Sequence, residues 1–122
     1  MKLIPNFKKK LVILKNSSAK SFFDKYPVNK GHMLVVPNNK VKSIYDLSRK
    51  DYQQIFDLVH KCRKYLKKKF KVKNFNIGIN DGKLAGQTIS QAHIHIIPRY
   101  KGDVKDPTGG VRGVIPRKRK YK

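Results

Sequence analysis

Apolar residues along the chain fall into several short bursts and one long periodic block, and the two patterns predict different elements. Residues 11–14 (LVIL), 19–24 (AKSFFD), 32–36 (HMLVV) and 74–79 (NFNIGI) are short strand candidates. Turn chemistry from Pro27 to Gly31 precedes the third, and Pro37 with Asn38 and Asn39 stops it. Residues 88–97 (TISQAHIHII) alternate most regularly of all, and Pro98 closes that run. Between these segments the period changes. Ser48, with Asp51 three residues on, imitates a capping box with the shorter acid. Tyr52, Ile55, Phe56, Val59, Cys62, Leu66 and Phe70 then recur every three or four residues, which predicts one amphipathic helix. Strands flanking one long helix, with hairpin-length links, predict an antiparallel α+β domain.

Length and composition bound this picture. The 122 residues allow one modest domain, and 39% hydrophobic residues are enough for a packed core. No repeat and no Gly/Ser/Pro linker divides the chain. It reads as a domain over 1–116 and a basic C-terminal tail over 117–122, expected to be mobile. The lone Cys62 excludes a disulfide framework and a zinc knuckle; on the helix stripe it reads as core. Apolar runs are only a few residues long, which excludes a membrane span. The N-terminal MKLIPNFKKK lacks the apolar core of a signal peptide, so the expected location is cytoplasmic.

The charge is extreme. Thirty Lys+Arg against seven acids give +23, and all seven acids are Asp. Residues 2–25, 61–73 and 117–122 hold twenty of the thirty basic residues. Two readings stand: attraction to polyanions, or the composition of an AT-rich genome. Lys outnumbers Arg 24 to 6 as the second reading requires, but that reading does not explain the missing Glu. Positive charge at the helix C-terminus also complements the helix dipole. The Tyr and Phe residues form no ladder that would stack single-stranded bases.

Candidate chemistry concentrates in the last strand. Residues two apart share a face, so Gln91, His93 and His95 line one side while Ala92, Ile94 and Ile96 bury the other. Two adjacent imidazoles fit a metal pair, a nucleophile with an acid/base partner, or a solvated face. No third metal ligand lies nearby in sequence, although His32 or an Asp could arrive through folding. His60, beside the helix stripe, reads as structural or solvated and not as catalytic.

GQTISQAHIHIIPR closely resembles the signature strand of the histidine triad (HIT) nucleotide hydrolases and transferases, His-x-His-x-His followed by apolar residues. Phe23 to Pro37 (FDKYPVNKGHMLVVP) resembles the family's ribose-side segment, and Asn76 to Gly82 (NIGINDG) its phosphate-side strand and loop. Arg99 to Asp103, with Gly109 to Arg112, resembles a tail of bacterial diadenosine-polyphosphate hydrolase-like members. The resemblance implies the HIT fold: an antiparallel sheet of about five strands, one long helix and a short helical segment. It implies that His93 attacks the α-phosphorus of a purine nucleotide, adenine above all, and forms a covalent nucleotidyl-histidine. The His93 tautomer is then fixed by the backbone carbonyl of Gln91. His95 contacts the phosphate oxygens, His32 supports the constellation, and Asp24 holds the ribose hydroxyls. Asn80, Gly86, Gln87 and Thr88 match positions around the phosphates and leaving group. No cofactor and no structural metal are implied; a divalent cation travelling with the substrate phosphates is compatible. A homodimer is implied, its sheets joined across a helix-and-strand interface.

The sequence departs from the pattern at the first triad position, which is Gln91 and not His. Gln keeps the carbonyl but cannot be protonated. Nucleotide binding and the nucleophile are expected to persist, with altered rate or substrate preference. Lys40 replaces a His that many relatives carry after the Pro37 strand, and the N-terminus lacks their Cys-x-x-Cys. The favoured reading is an enzyme acting on dinucleoside polyphosphates, with weak nucleic-acid association through the basic segments left open. Its rivals are deadenylation of nucleic-acid ends, as in the aprataxin branch, and a non-catalytic nucleotide- or nucleic-acid-binding module.

Overall fold

A computed structural model describes residues 11–121. The basic residues before Leu11, the start of the expected 1–116 domain and the terminal Lys122 lie outside the described residues. Five strands form one antiparallel sheet: β1 (Leu14–Lys15), β2 (Ala19–Phe23), β3 (Met33–Pro37), β4 (Asn74–Gly78) and β5 (Ile94–Arg99). Their order is β1-β2-β3-β5-β4, so β5 lies between β3 and the edge strand β4. The long helix α1 (Arg49–Phe70) joins β3 to β4. A short 3-10 turn, Ile44–Asp46, precedes it.

Helix α1 starts where its cap predicts. The Ser48 hydroxyl accepts from the Asp51 N–H at 3.1 Å. Ile55, Leu58, Val59, Cys62 and Leu66 bury one stripe of the helix. They pack on Met33, Val35, Ile94 and Ile96, which alternation points to the same side of the sheet. Burial also pushes the Cys62 thiol pKa up, as suits a core residue. Tyr52 and Phe56 depart from the predicted stripe and are exposed, with Tyr52 in tilted ring contact with both Tyr45 and Phe56. The 22-residue helix is about 33 Å long. It ends at Lys71, which takes the left-handed conformation at φ 56°.

Most strand limits differ from the sequence pattern by a residue, and three differences matter. The first strand is only Leu14–Lys15. Pro37 is the last residue of β3, paired with Ala19, and does not stop the strand before it. The regular run 88–97 is a strand only from Ile94, and it continues through Pro98 to Arg99. Pro98 is tolerated because β3 begins at Met33, opposite Ile96, so β5 has no β3 neighbour there.

The tail expected to be mobile is folded back as far as it is described. Arg119 Nη1 donates to the carbonyls of Asp106 at 2.6 Å and Thr108 at 2.5 Å. Lys120 pairs with Asp106 at 2.6 Å.

Candidate active site

The β3–β5 ladder ends at the pair Val35 and Ile94, and the chain just before Ile94 is released from the sheet. There Gln91 is buried, and its Nε2 donates to the Pro37 carbonyl at 3.2 Å. The expectation that Gln91 shares an open face with His93 and His95 is therefore corrected. Its side chain braces the end of β3, because the segment 91–93 is not yet strand. Its backbone carbonyl lies 2.8 Å from His93 Nδ1. A carbonyl only accepts, so the His93 proton sits on Nδ1 and Nε2 keeps a lone pair. His93 and His95 follow each other at 5.0 Å between ring centroids.

A second chain of hydrogen bonds fixes His95. The turn Pro27–Gly31 places His32 just ahead of β3, and Gly31 is required there. It has φ 89°, and a Cβ would meet the Phe70 ring at 3.0 Å. Asn29 pins this turn by donating to the Pro98 carbonyl at 3.0 Å and to Asp103 Oδ2 at 2.7 Å. Asp103 is itself held by Arg99 through Nε at 2.8 Å and Nη2 at 2.9 Å. The Arg99 guanidinium keeps the Asp103 carboxyl well below the usual carboxylate range. So anchored, the Val28 N–H donates to His32 Nδ1 at 3.0 Å. A backbone N–H only donates, so the proton of neutral His32 is on Nε2. Nε2 faces His95 Nδ1 at 3.0 Å and Asp24 Oδ2 at 3.5 Å. His95 Nδ1 is therefore an acceptor, and its own proton is left on Nε2. Burial, then the neighbouring imidazoles of His93 and His32, push the His95 pKa down to about 4. Burial likewise lowers that of His32, against the pull of Asp24.

Folding brings both His32 and an Asp to His95, but the resulting group does not include His93. Asp24, His32 and His95 place possible ligand atoms within 4.8 Å of one another. The proton positions do not suit a metal. An ion on His32 Nε2 would move the ring proton to Nδ1, against the Val28 N–H. The three are better described as a hydrogen-bonded relay.

The remaining expected residues divide. Asp24 is half-buried, with Oδ1 accepting from the Tyr26 N–H at 2.9 Å and Oδ2 toward His32. Asn80 is exposed and lines a cavity together with His32 and His95. Gly86 has φ 96°, which ends the 3-10 turn Lys83–Ala85 beside Asn80. Thr88 is exposed nearby in the chain. Gln87 is buried, and its amide braces the loop. Oε1 accepts from the Gly82 N–H at 2.9 Å, while Nε2 donates to the carbonyls of Lys42 and Ile89 at 3.0 Å. Those bonds tie the loop before Ile89 to the segment that carries Lys42. Sequence reasoning missed Val28, whose part is played by its amide, and the pinning pair Asn29 and Asp103. The turn signature Pro27–Gly31 hinted at Val28 and Asn29, and Asp103 lay within the segment Arg99 to Asp103 without a part assigned to it.

The HIT domain family model matches residues 6–102. The chain belongs to the HIT domain family. It is 36% identical over 95 residues to an asymmetrical bis(5'-nucleosyl)-tetraphosphatase of Schizosaccharomyces pombe, covering 78% of this chain and 52% of that protein. It is 31% identical over 109 residues to an AP-4-A phosphorylase of Mycobacterium tuberculosis, covering 87% and 55%. This HIT chain thus spans about half the length of these curated relatives. A HIT family protein from Bacillus anthracis superposes with TM-score 0.72 at 33% identity, covering 77% of this chain and 67% of that one. The five-stranded sheet with one long helix is the HIT fold.

Proposed function

We propose that this HIT protein is a nucleotide hydrolase or nucleotidyl transferase acting at the α-phosphate of dinucleoside polyphosphates. The observation that carries the reading is the His93 Nδ1 contact to the Gln91 carbonyl at 2.8 Å, which puts the ring proton on Nδ1 and leaves Nε2 as the unprotonated nitrogen that an attack on phosphorus requires. The names of the two relatives above point to the same substrate class. Attack forms the Nε2–P bond and breaks the bond from phosphorus to the bridging oxygen. The leaving nucleoside polyphosphate takes the electron pair. Water, or another acceptor, then displaces His93 and releases the mononucleotide. The developing positive charge on the ring is stabilised through Nδ1–H and the Gln91 carbonyl. His95 offers Nε2–H to a phosphate oxygen, and Asp24 accepts from the ribose hydroxyls.

Because the Gln91 function runs through its carbonyl and a brace to Pro37, the missing triad imidazole does not remove the nucleophile. The protein is read as a cytoplasmic homodimer; the outer edge of β4, which pairs with no further strand among the described residues, supports the pairing. The decisive experiment is acid-quench trapping of a nucleotidyl-His93 from diadenosine tetraphosphate. His93→Ala is expected to abolish turnover while leaving nucleotide binding mostly intact; full activity in that variant refutes the reading.

A second reading keeps the chemistry and changes the substrate to adenylated nucleic-acid ends. It is favoured by Lys61, Lys64 and Lys68, all exposed on α1 and spaced three and four residues apart. A steep loss of oligonucleotide affinity with salt supports it, and no affinity at modest salt rejects it.

A further inference from the structure

A cavity of about 460 Å³ opens beside His95. That volume suits a nucleoside-sized ligand. The floor of the cavity is the sheet face over β5 and β4, where Ile97 follows His95 and Gly78 lies directly opposite it in the register. Gly78 leaves that floor open: a Cβ there meets nothing within 4 Å. The outer wall is Gly110 to Val114 of the tail, beyond residue 102, where the HIT family match stops. Val111 and Val114 are 65% and 79% exposed.

We propose that this slot binds the leaving nucleoside of a dinucleoside polyphosphate, and that Val111 and Val114 form a specificity wall for its base. The inference rests on the function proposed above and adds where the departing half of the substrate lies. The order of strands gives the direction. Asp24, assigned to the ribose of the attacked nucleotide, follows β2, on one side of the histidines. The slot extends over β4, on the other side. A substrate whose α-phosphorus sits at the histidines and whose ribose reaches Asp24 must send its remaining phosphates toward β4. The polar end of the slot, with His32, His95 and Asn80, then meets phosphate, and the apolar part meets a flat base. The wall is held in place by Arg119, which closes the loop from Asp106 to the tail through two carbonyls.

The test compares diadenosine tetraphosphate with adenosine 5'-phosphoramidate, whose leaving group is ammonia and needs no slot. Val111→Ser with Val114→Ser is expected to raise KM for the dinucleotide, relative to that for the phosphoramidate, on the order of tenfold. Gly78→Val, which fills the floor, is expected to shift the ratio in the same direction. An unchanged ratio in both variants overturns the proposal, as does an equal loss on both substrates. Equilibrium binding keeps this outcome apart from failure of the catalytic reading. The wall variant should weaken a non-hydrolysable diadenosine tetraphosphate against AMP, whether or not any substrate turns over. Equal weakening of both ligands, or of neither, overturns the subsite.

Discussion

Acid should unfold this protein partly through His95. In the folded state its pKa is about 4 against an ordinary 6.5, mainly because burial disfavours the imidazolium. Between those values the folded state binds fewer protons than the unfolded state, so stability falls as pH falls. The loss begins near pH 6.5 and levels off below pH 4. Linkage with these two values gives about 2 kcal/mol lost by pH 5 and about 3 kcal/mol by pH 4. His32 is shifted in the same direction and adds to the loss. Asp103 and Asp106 are held low by Arg99 and Lys120, so their stabilisation is present above 3.8 and is lost only in more acidic solution. The assay is urea unfolding at pH 7 and pH 5 in 1 M salt, where a Debye length of about 3 Å screens the +23 surface charge. The reference is His95→Gln, which removes this titration. The wild type should lose about 2 kcal/mol more than the variant between the two pH values. Equal losses would refute the burial of a neutral His95, and with it the relay from His32.

Three further outcomes follow from the same contacts. Val28→Pro removes the N–H that fixes His32 and should lower kcat by about tenfold and move the acid limb of the pH–rate profile, while Val28→Ala keeps the N–H and the wild-type profile. Gln91→Ala leaves the Pro37 carbonyl without its donor and should cost about 1–3 kcal/mol in urea unfolding, whereas Gln91→His should preserve or raise activity; a collapse of turnover would give Gln91 a specialised part. Lys71→Gly relieves a left-handed residue at the end of α1 and should raise stability by about 1 kcal/mol in thermal or urea unfolding.

What was readable in advance was whatever a residue does through its own side chain at a fixed period. Helix α1 follows from Ser48 and the apolar spacing after it, and the pairing of His93 with His95 follows from the signature strand. The exposure of Tyr52 and Phe56 did not follow, because three- and four-residue spacing does not fix how wide the buried stripe is: it centres on Ile55, Leu58, Val59, Cys62 and Leu66, and Phe56 lies on its flank. Alternation also carried the last strand too far back. It put Gln91 on an open face, when the ladder stops at Ile94 and the Gln91 amide takes the place of a ladder bond to Pro37. That early stop has a chemical consequence. Inside the strand, the Gln91 carbonyl would point along the ladder toward a neighbouring strand. Released from it, the carbonyl meets His93 Nδ1. The tautomers of His93 and of His95 are both set by backbone groups, the Gln91 carbonyl and the Val28 N–H. Every residue possesses such groups, so no side-chain pattern marks them. The same reasoning explains how a histidine triad loses its first imidazole without losing its geometry: the part that must be kept is a carbonyl in the right place, and a buried amide side chain can hold it there.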